Sequence, residues 1–161
     1  MEKLPPSEKA SDLFATINNG DDWIDRLGQW MSGTESYSFI GQAGEDFKID
    51  SKAAFVLYGK KKNLISTPNM GEQGAVDLKT GFNQIGLASI PAGFTAYDLL
   101  ESLGSLKIKI VQKFSAEDQR YLTVNISSEG RITGSNFPIY PGDGLTIIMR
   151  LPVSGWKPGR L

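Results

Sequence analysis

Two stretches of the chain carry apolar residues at helical spacing. Ala10, Leu13, Phe14 and Ile17 fall at i, i+3, i+4 and i+7, and Ala96, Leu99, Leu100 and Leu103 repeat that spacing 86 positions later. Each set makes one apolar stripe on a short helix. Asp12 and Asp98 stand near the helix starts, where negative charge is favourable. The second helix is the better marked. Thr95 is placed to cap it, Asp98 follows three residues on as in a capping box, Phe94 and Leu99 suit a hydrophobic staple, and Gly104 is its natural stop. Helices this short are marginal in water, so both are expected to pack on a sheet.

Between and after them the pattern turns to strands. Ile108 and Ile110 alternate with Lys107 and Lys109, and Leu122, Val124 and Ile126 alternate with Tyr121, Thr123 and Asn125. Ser127 to Gly130 and Pro141-Gly142-Asp143-Gly144 read as turns, the latter leading into a strand from Leu145 to Arg150. One order of elements occurs twice. Trp30 is followed by Tyr37 at the distance that separates Phe114 from Tyr121, and Gly44-x-x-Phe47-x-Ile49 matches Gly134-x-x-Phe137-x-Ile139. Ala53 to Tyr58 then corresponds to Leu145 to Met149.

The expected fold is therefore α+β, mainly antiparallel β, as two tandem copies of a short helix plus a small sheet. The divisions are an N-terminal arm (1–9), a degenerate first repeat (10–68), a connector (69–80), a second repeat (81–151) and a C-terminal tail (152–161). Trp30, Phe47 and Phe137 are expected in the core. The strand Gly81 to Leu87 opens the second copy and has no counterpart before the first helix. Lys62 to Thr67 or another subunit is expected to compensate, since a missing strand leaves a sheet edge open for pairing.

The second copy resembles a module of bacterial secreted and cell-surface proteins. The matching residues are Gly81-Phe82-Asn83-Gln84-Ile85-Gly86-Leu87, Asp98-Leu99-Leu100, Phe114-Ser115, and the run from Gly134 to Gly144. The first copy keeps the helix and Gly44-Glu45-Asp46-Phe47-Lys48-Ile49, with Ser51-Lys52-Ala53 in place of the proline-glycine turn. The resemblance covers residues 81–150 well and 10–58 weakly. It implies a non-catalytic piece of architecture.

Composition narrows the chemistry. Over 161 residues the chain is 40% hydrophobic and 22% charged, with no cysteine, no histidine and a formal charge of −1. Disulfides, thiol nucleophiles and imidazole-based mechanisms are excluded. The charge balance gives no support to a specific nucleic-acid partner. Residues 1–80 carry nine basic and twelve acidic side chains, and residues 81–161 carry eight and six, an asymmetry that suits head-to-tail contact or plain solvated surface. No run approaches a membrane span, and Met1 to Pro6 lacks the pattern of a signal peptide.

No constellation carries catalysis, a cofactor or a metal. Asp98 and Glu101 sit three apart on a helix, but Asp98 already has a capping role. Asp21-Asp22 and Glu117-Asp118 lie in polar turns without the alternating oxygen ligands of a calcium loop. Lys60-Lys61-Lys62 is an isolated basic cluster, and no Gly-Lys-Ser/Thr follows the Pro141 turn. Trp156, on a glycine- and proline-rich tail, either folds back on its own domain or anchors in a neighbour. Candidate partner contacts are accordingly Met1, Leu4, Pro5 and Pro6 on one arm, and Trp156 and Pro158 on the other. The expected function is that of a non-catalytic structural or interaction protein. A virion component is expected first, such as a capsid decoration or accessory structural protein, bound to protein partners in a capsid or surface lattice or to further copies of itself. The alternative is a module of a secreted or cell-surface protein for adhesion or carbohydrate binding.

Overall fold

The computed structural model describes residues 9–31, 33–41, 44–49, 54–60 and 74–159. They form an α+β fold of two helices and mostly antiparallel strands, and the chain divides into two compact units, Met1–Asn69 and Met70–Leu161.

In the first unit, helix α1 (Ala10–Asn18) is followed by β1 (Ile24–Met31), β2 (Ser36–Ile40) and β3 (Phe55–Gly59), paired antiparallel in the order β2-β1-β3. Buried Ala10, Ile24 and Leu27 gather Leu13, Phe14, Ile17, Phe47 and Phe55 into its core. Lys9 precedes α1 without a side-chain cap. The capping comes from across the fold: the Asp46 carboxylate accepts the Ser11 backbone N–H at 2.9 Å and its hydroxyl at 2.8 Å. The Ala10 N–H donates to the Phe47 carbonyl at 2.9 Å. Asn18 shapes the exit, its side-chain oxygen accepting the N–H groups of Trp23 and Ile24 at 2.9 Å each.

The second unit begins with β4 (Val76–Leu78), β5 (Gly81–Gly86) and α2 (Ala96–Leu103), then β6 (Ile108–Ser115), β7 (Arg120–Ile126), β8 (Ile132–Gly134), β9 (Gly144–Met149) and β10 (Val153–Trp156). Five strands pair in the order β5-β9-β6-β7-β8, every pair antiparallel. Strands β10 and β4 form a separate two-stranded sheet. The capping box at α2 is as expected, with Thr95 accepting from the Asp98 N–H and Asp98 accepting from the Thr95 N–H at 2.8 Å. Leu99, Leu100 and Leu103 are buried with Phe94, Ile108, Val111, Leu145 and Ile147. Asn83 ties the turn between β4 and β5, accepting the Lys79 N–H at 2.9 Å and donating to the carbonyls of Lys79 and Gly81 at 2.8 and 3.0 Å. Behind β6, Lys113 reaches Asp143 at 2.6 Å, and the same carboxylate accepts the Tyr140 N–H at 2.7 Å, which fixes the Pro141 turn.

Several expectations are corrected. The alternation read at Ile108 and Ile110 is interrupted by a register shift between them, so Ile108 and Val111 are buried while Ile110 is half-buried. The segments around Phe47 and Phe137, read as part of the strand succession, are not strands. Each makes a single bridge, Lys9 to Lys48 and Thr95 to Pro138, beside the helix start it supports. Phe137 is buried as expected and Phe47 packs on its core, but Trp30 is only half-buried. Residues 153–156 are not tail but β10, and residues 76–78 are not connector but its partner β4. Among the described residues β3 is an edge strand, and Lys62 to Thr67 lie outside them.

Candidate interaction surface

The face of the three-stranded sheet turned from the core carries an aromatic cluster. On β1, Arg26, Gly28 and Trp30 alternate with the core-facing Leu27 and Gln29. Register sets Tyr37 opposite Trp30, Phe39 opposite Gly28, and Tyr58 opposite Arg26. The Trp30 and Tyr37 rings meet edge-on at 5.2 Å, Tyr37 stacks on Phe39 at 5.7 Å, and Phe39 meets Tyr58 edge-on at 6.0 Å. The Arg26 guanidinium lies 4.2 Å from the Tyr58 ring centre and 5.8 Å from that of Phe39. Glycine at 28 is a steric requirement: a Cβ there would stand 2.4 Å from Cε1 of Phe39, so only a bare backbone lets that ring lie across the strand. Tyr37 and Tyr58 stay 37% and 40% exposed, so the cluster faces solvent although its members pack on one another.

The second unit places a like pair at the matching register. Phe114 and Tyr121 oppose each other across β6 and β7, edge-on at 5.3 Å, both exposed.

Several polar side chains of the described residues are committed to structure. A shallow cleft of about 260 Å³ at the start of α1 is lined by Lys9, Asp46, Phe47 and Lys48. Asp46 there is held below the ordinary value of 3.8, chiefly by the Ser11 hydroxyl and then by the Ser11 N–H. A carboxylate kept ionised by its own cap is a poor proton donor. Lys60 pairs with Asp22 at 2.6 Å, which raises its ammonium above the ordinary 10.5. Asp118 accepts from the Ser115 hydroxyl at 3.1 Å. Among the described residues no three acidic side chains gather as a metal site.

The residues singled out as partner contacts do not converge. Met1, Leu4, Pro5 and Pro6 lie outside the described residues. Trp156 is only 6% exposed, opposite Val76 in the β4–β10 pair, and its indole N–H donates to the Ser102 hydroxyl at 3.2 Å. That corrects the anchor assignment: of its two options, the ring takes the fold-back onto its own unit. Pro158 follows it half-buried. The sequence reading missed the aromatic face altogether, because Arg26, Trp30, Tyr37, Phe39 and Tyr58 meet only through strand register.

Comparison with family models, with curated proteins and with solved structures finds no match to this chain.

Proposed function

We propose that this is a non-catalytic interaction protein, made of two copies of one helix-backed sheet, that joins a larger protein assembly through the aromatic face of its first unit. The duplication is supported by paired details. The central strands β1 and β6 both shift register, between Ile24 and Arg26 and between Ile108 and Ile110, and both carry an aromatic pair farther along. The first N–H of each helix donates to a phenylalanine carbonyl, Ala10 to Phe47 and Ala96 to Phe137. The next N–H is received by Asp46 in one unit and by Asn136, at 3.1 Å, in the other. A Cβ at Gly44 or Gly134 would collide with a backbone carbonyl, that of Phe39 at 2.4 Å or of Thr123 at 2.2 Å.

The observation that carries the assembly role is the solvent-facing cluster of Trp30, Tyr37, Tyr58 and Arg26. Tryptophan, tyrosine and arginine are the residues that dominate the energetics of protein interfaces, through large rigid area and an already positioned guanidinium. A virion, with its repeating protein lattice, is the setting we propose for such a contact.

Photo-crosslinking tests the assembly role. A photoreactive phenylalanine at position 58, in the organism that makes the protein, is expected to yield a discrete protein adduct. The same group at exposed Glu129 is expected to yield none. An equal pattern at both positions, or none at 58, rejects the aromatic face as a protein contact.

A further inference from the structure

The geometry points to a second binding surface, for a neutral glycan, on the face of the five-stranded sheet turned away from α2. Register lays four polar side chains in one row across four strands. Gln84 on β5 opposes Thr146 on β9, Thr146 opposes Gln112 on β6, and Gln112 opposes Thr123 on β7. Three inter-strand steps make this row about 14 Å long, the reach of a short oligosaccharide. Phe82, Ile148, Ile110 and Asn125 form the row on one side, and Phe114 with Tyr121 bounds the other.

None of these three rows contains a charged side chain, in a chain that is 22% charged. The Arg150 guanidinium, at the end of β9, is spent on the carbonyls of Ile108 and Ile126. A phosphate, sulfate or carboxylate would therefore gain nothing here. A neutral sugar offers hydroxyls that both donate and accept, which is what amides and hydroxyls need, and apolar C–H faces that suit exposed rings. Tyr121 is 61% exposed and Phe114 48%.

The row also has unused hydrogen-bonding capacity. The Gln112 amide donates to the Thr123 hydroxyl at 3.1 Å, which orients both. The Gln84 side-chain oxygen is shut from solvent with no donor among the described residues. A buried acceptor without a donor is costly, so Gln84 gains whenever its amide swings to a hydroxyl brought by a ligand. This surface shares no residue with the aromatic face of the first unit, so either can fail alone.

The test uses the full chain on an array of neutral, sialylated and sulfated glycans, followed by calorimetric titration with the neutral oligosaccharide bound best. Binding confined to neutral glycans and insensitive to salt is expected. Gln112→Leu should weaken it about tenfold, through the loss of hydrogen bonds to the ligand. Tyr121→Ser, at an exposed position, should weaken it with only a small drop in melting temperature from the lost Phe114 contact, and keeps the test decisive should the glutamine variant fold poorly. The proposal is overturned by an array without neutral binders, by binding restricted to acidic glycans, or by affinity unchanged in both variants. It is equally overturned if light scattering finds a dimer through this face, lost in Tyr121→Ser, while no glycan binds.

Discussion

Gly134 stands in close contact with neighbouring backbone in the second unit, and replacing it by alanine probes the fold at that point. It has φ of 96°, and an added Cβ would stand 2.2 Å from the Thr123 carbonyl oxygen and 3.2 Å from the Val124 Cα. Gly130 supplies the control, with φ of 81° and nothing within 4 Å of the added atom. Gly130→Ala should cost about 1–2 kcal/mol, the strain of an L-residue in left-handed backbone. Gly134→Ala carries similar strain and adds an overlap with backbone, which cannot rotate away as a side chain can. Overpacking of this kind adds about 1–3 kcal/mol, for a total of roughly 2–5 kcal/mol. Urea unfolding measures the difference. Trp156 is the one tryptophan of the second unit, so its fluorescence in a Trp23→Phe, Trp30→Phe background reports on that unit. With a slope of roughly 1–3 kcal/mol per molar urea, the two variants should differ in midpoint by about 1 M at constant slope. If their stabilities agree within about 0.5 kcal/mol, β8 does not sit on β7 as described and the reasoning fails.

Trp156→Ala should destabilise by about 3–5 kcal/mol, because it empties a buried site and strips the Ser102 hydroxyl of its donor. A thermal melt showing no loss would return Trp156 to the role of an exposed anchor. Asp46→Asn should lower the melting temperature at neutral pH and not in strong acid. The folded-state value of Asp46 is depressed, so its contribution is complete above the ordinary 3.8 and is lost as pH falls through the lower folded value. Melts of both proteins from neutral pH down to below that value should converge, and a gap that persists unchanged in acid would refute the capping role.

What could be read from the sequence alone is whatever lies within a few positions along the chain. The helix stripe from Ala96 to Leu103, its Thr95–Asp98 capping box and its Gly104 stop are local, and the structure has them at those residues. The alternation of Leu122, Val124 and Ile126 is local too, and it marks β7. The equal distance from Trp30 to Tyr37 and from Phe114 to Tyr121 was legible, and each spacing closes a hairpin on one aromatic pair. Even so, the side of the sheet on which those pairs stand was not.

Tertiary structure decided the rest, for reasons of distance along the chain. Register shifts after Ile24 and after Ile108 interrupt the two-residue period, so Ile108 shares the core with Val111 and not the face of Ile110. The cap of α1 comes from Asp46, 35 residues beyond Ser11, where no helix-start signal can point. Trp156 gains its burial from β4 and Ser102, far behind it in sequence, so a tail by composition is core in the fold. The aromatic face of one sheet and the Gln–Thr row of the other are likewise products of strand pairing. Local spacing determined the helices, the cap of α2 and the turns of this protein, because their interactions close within a turn. Only the pairing of distant strands decided which side chains share a surface, because register, and not composition, sets what stands beside what.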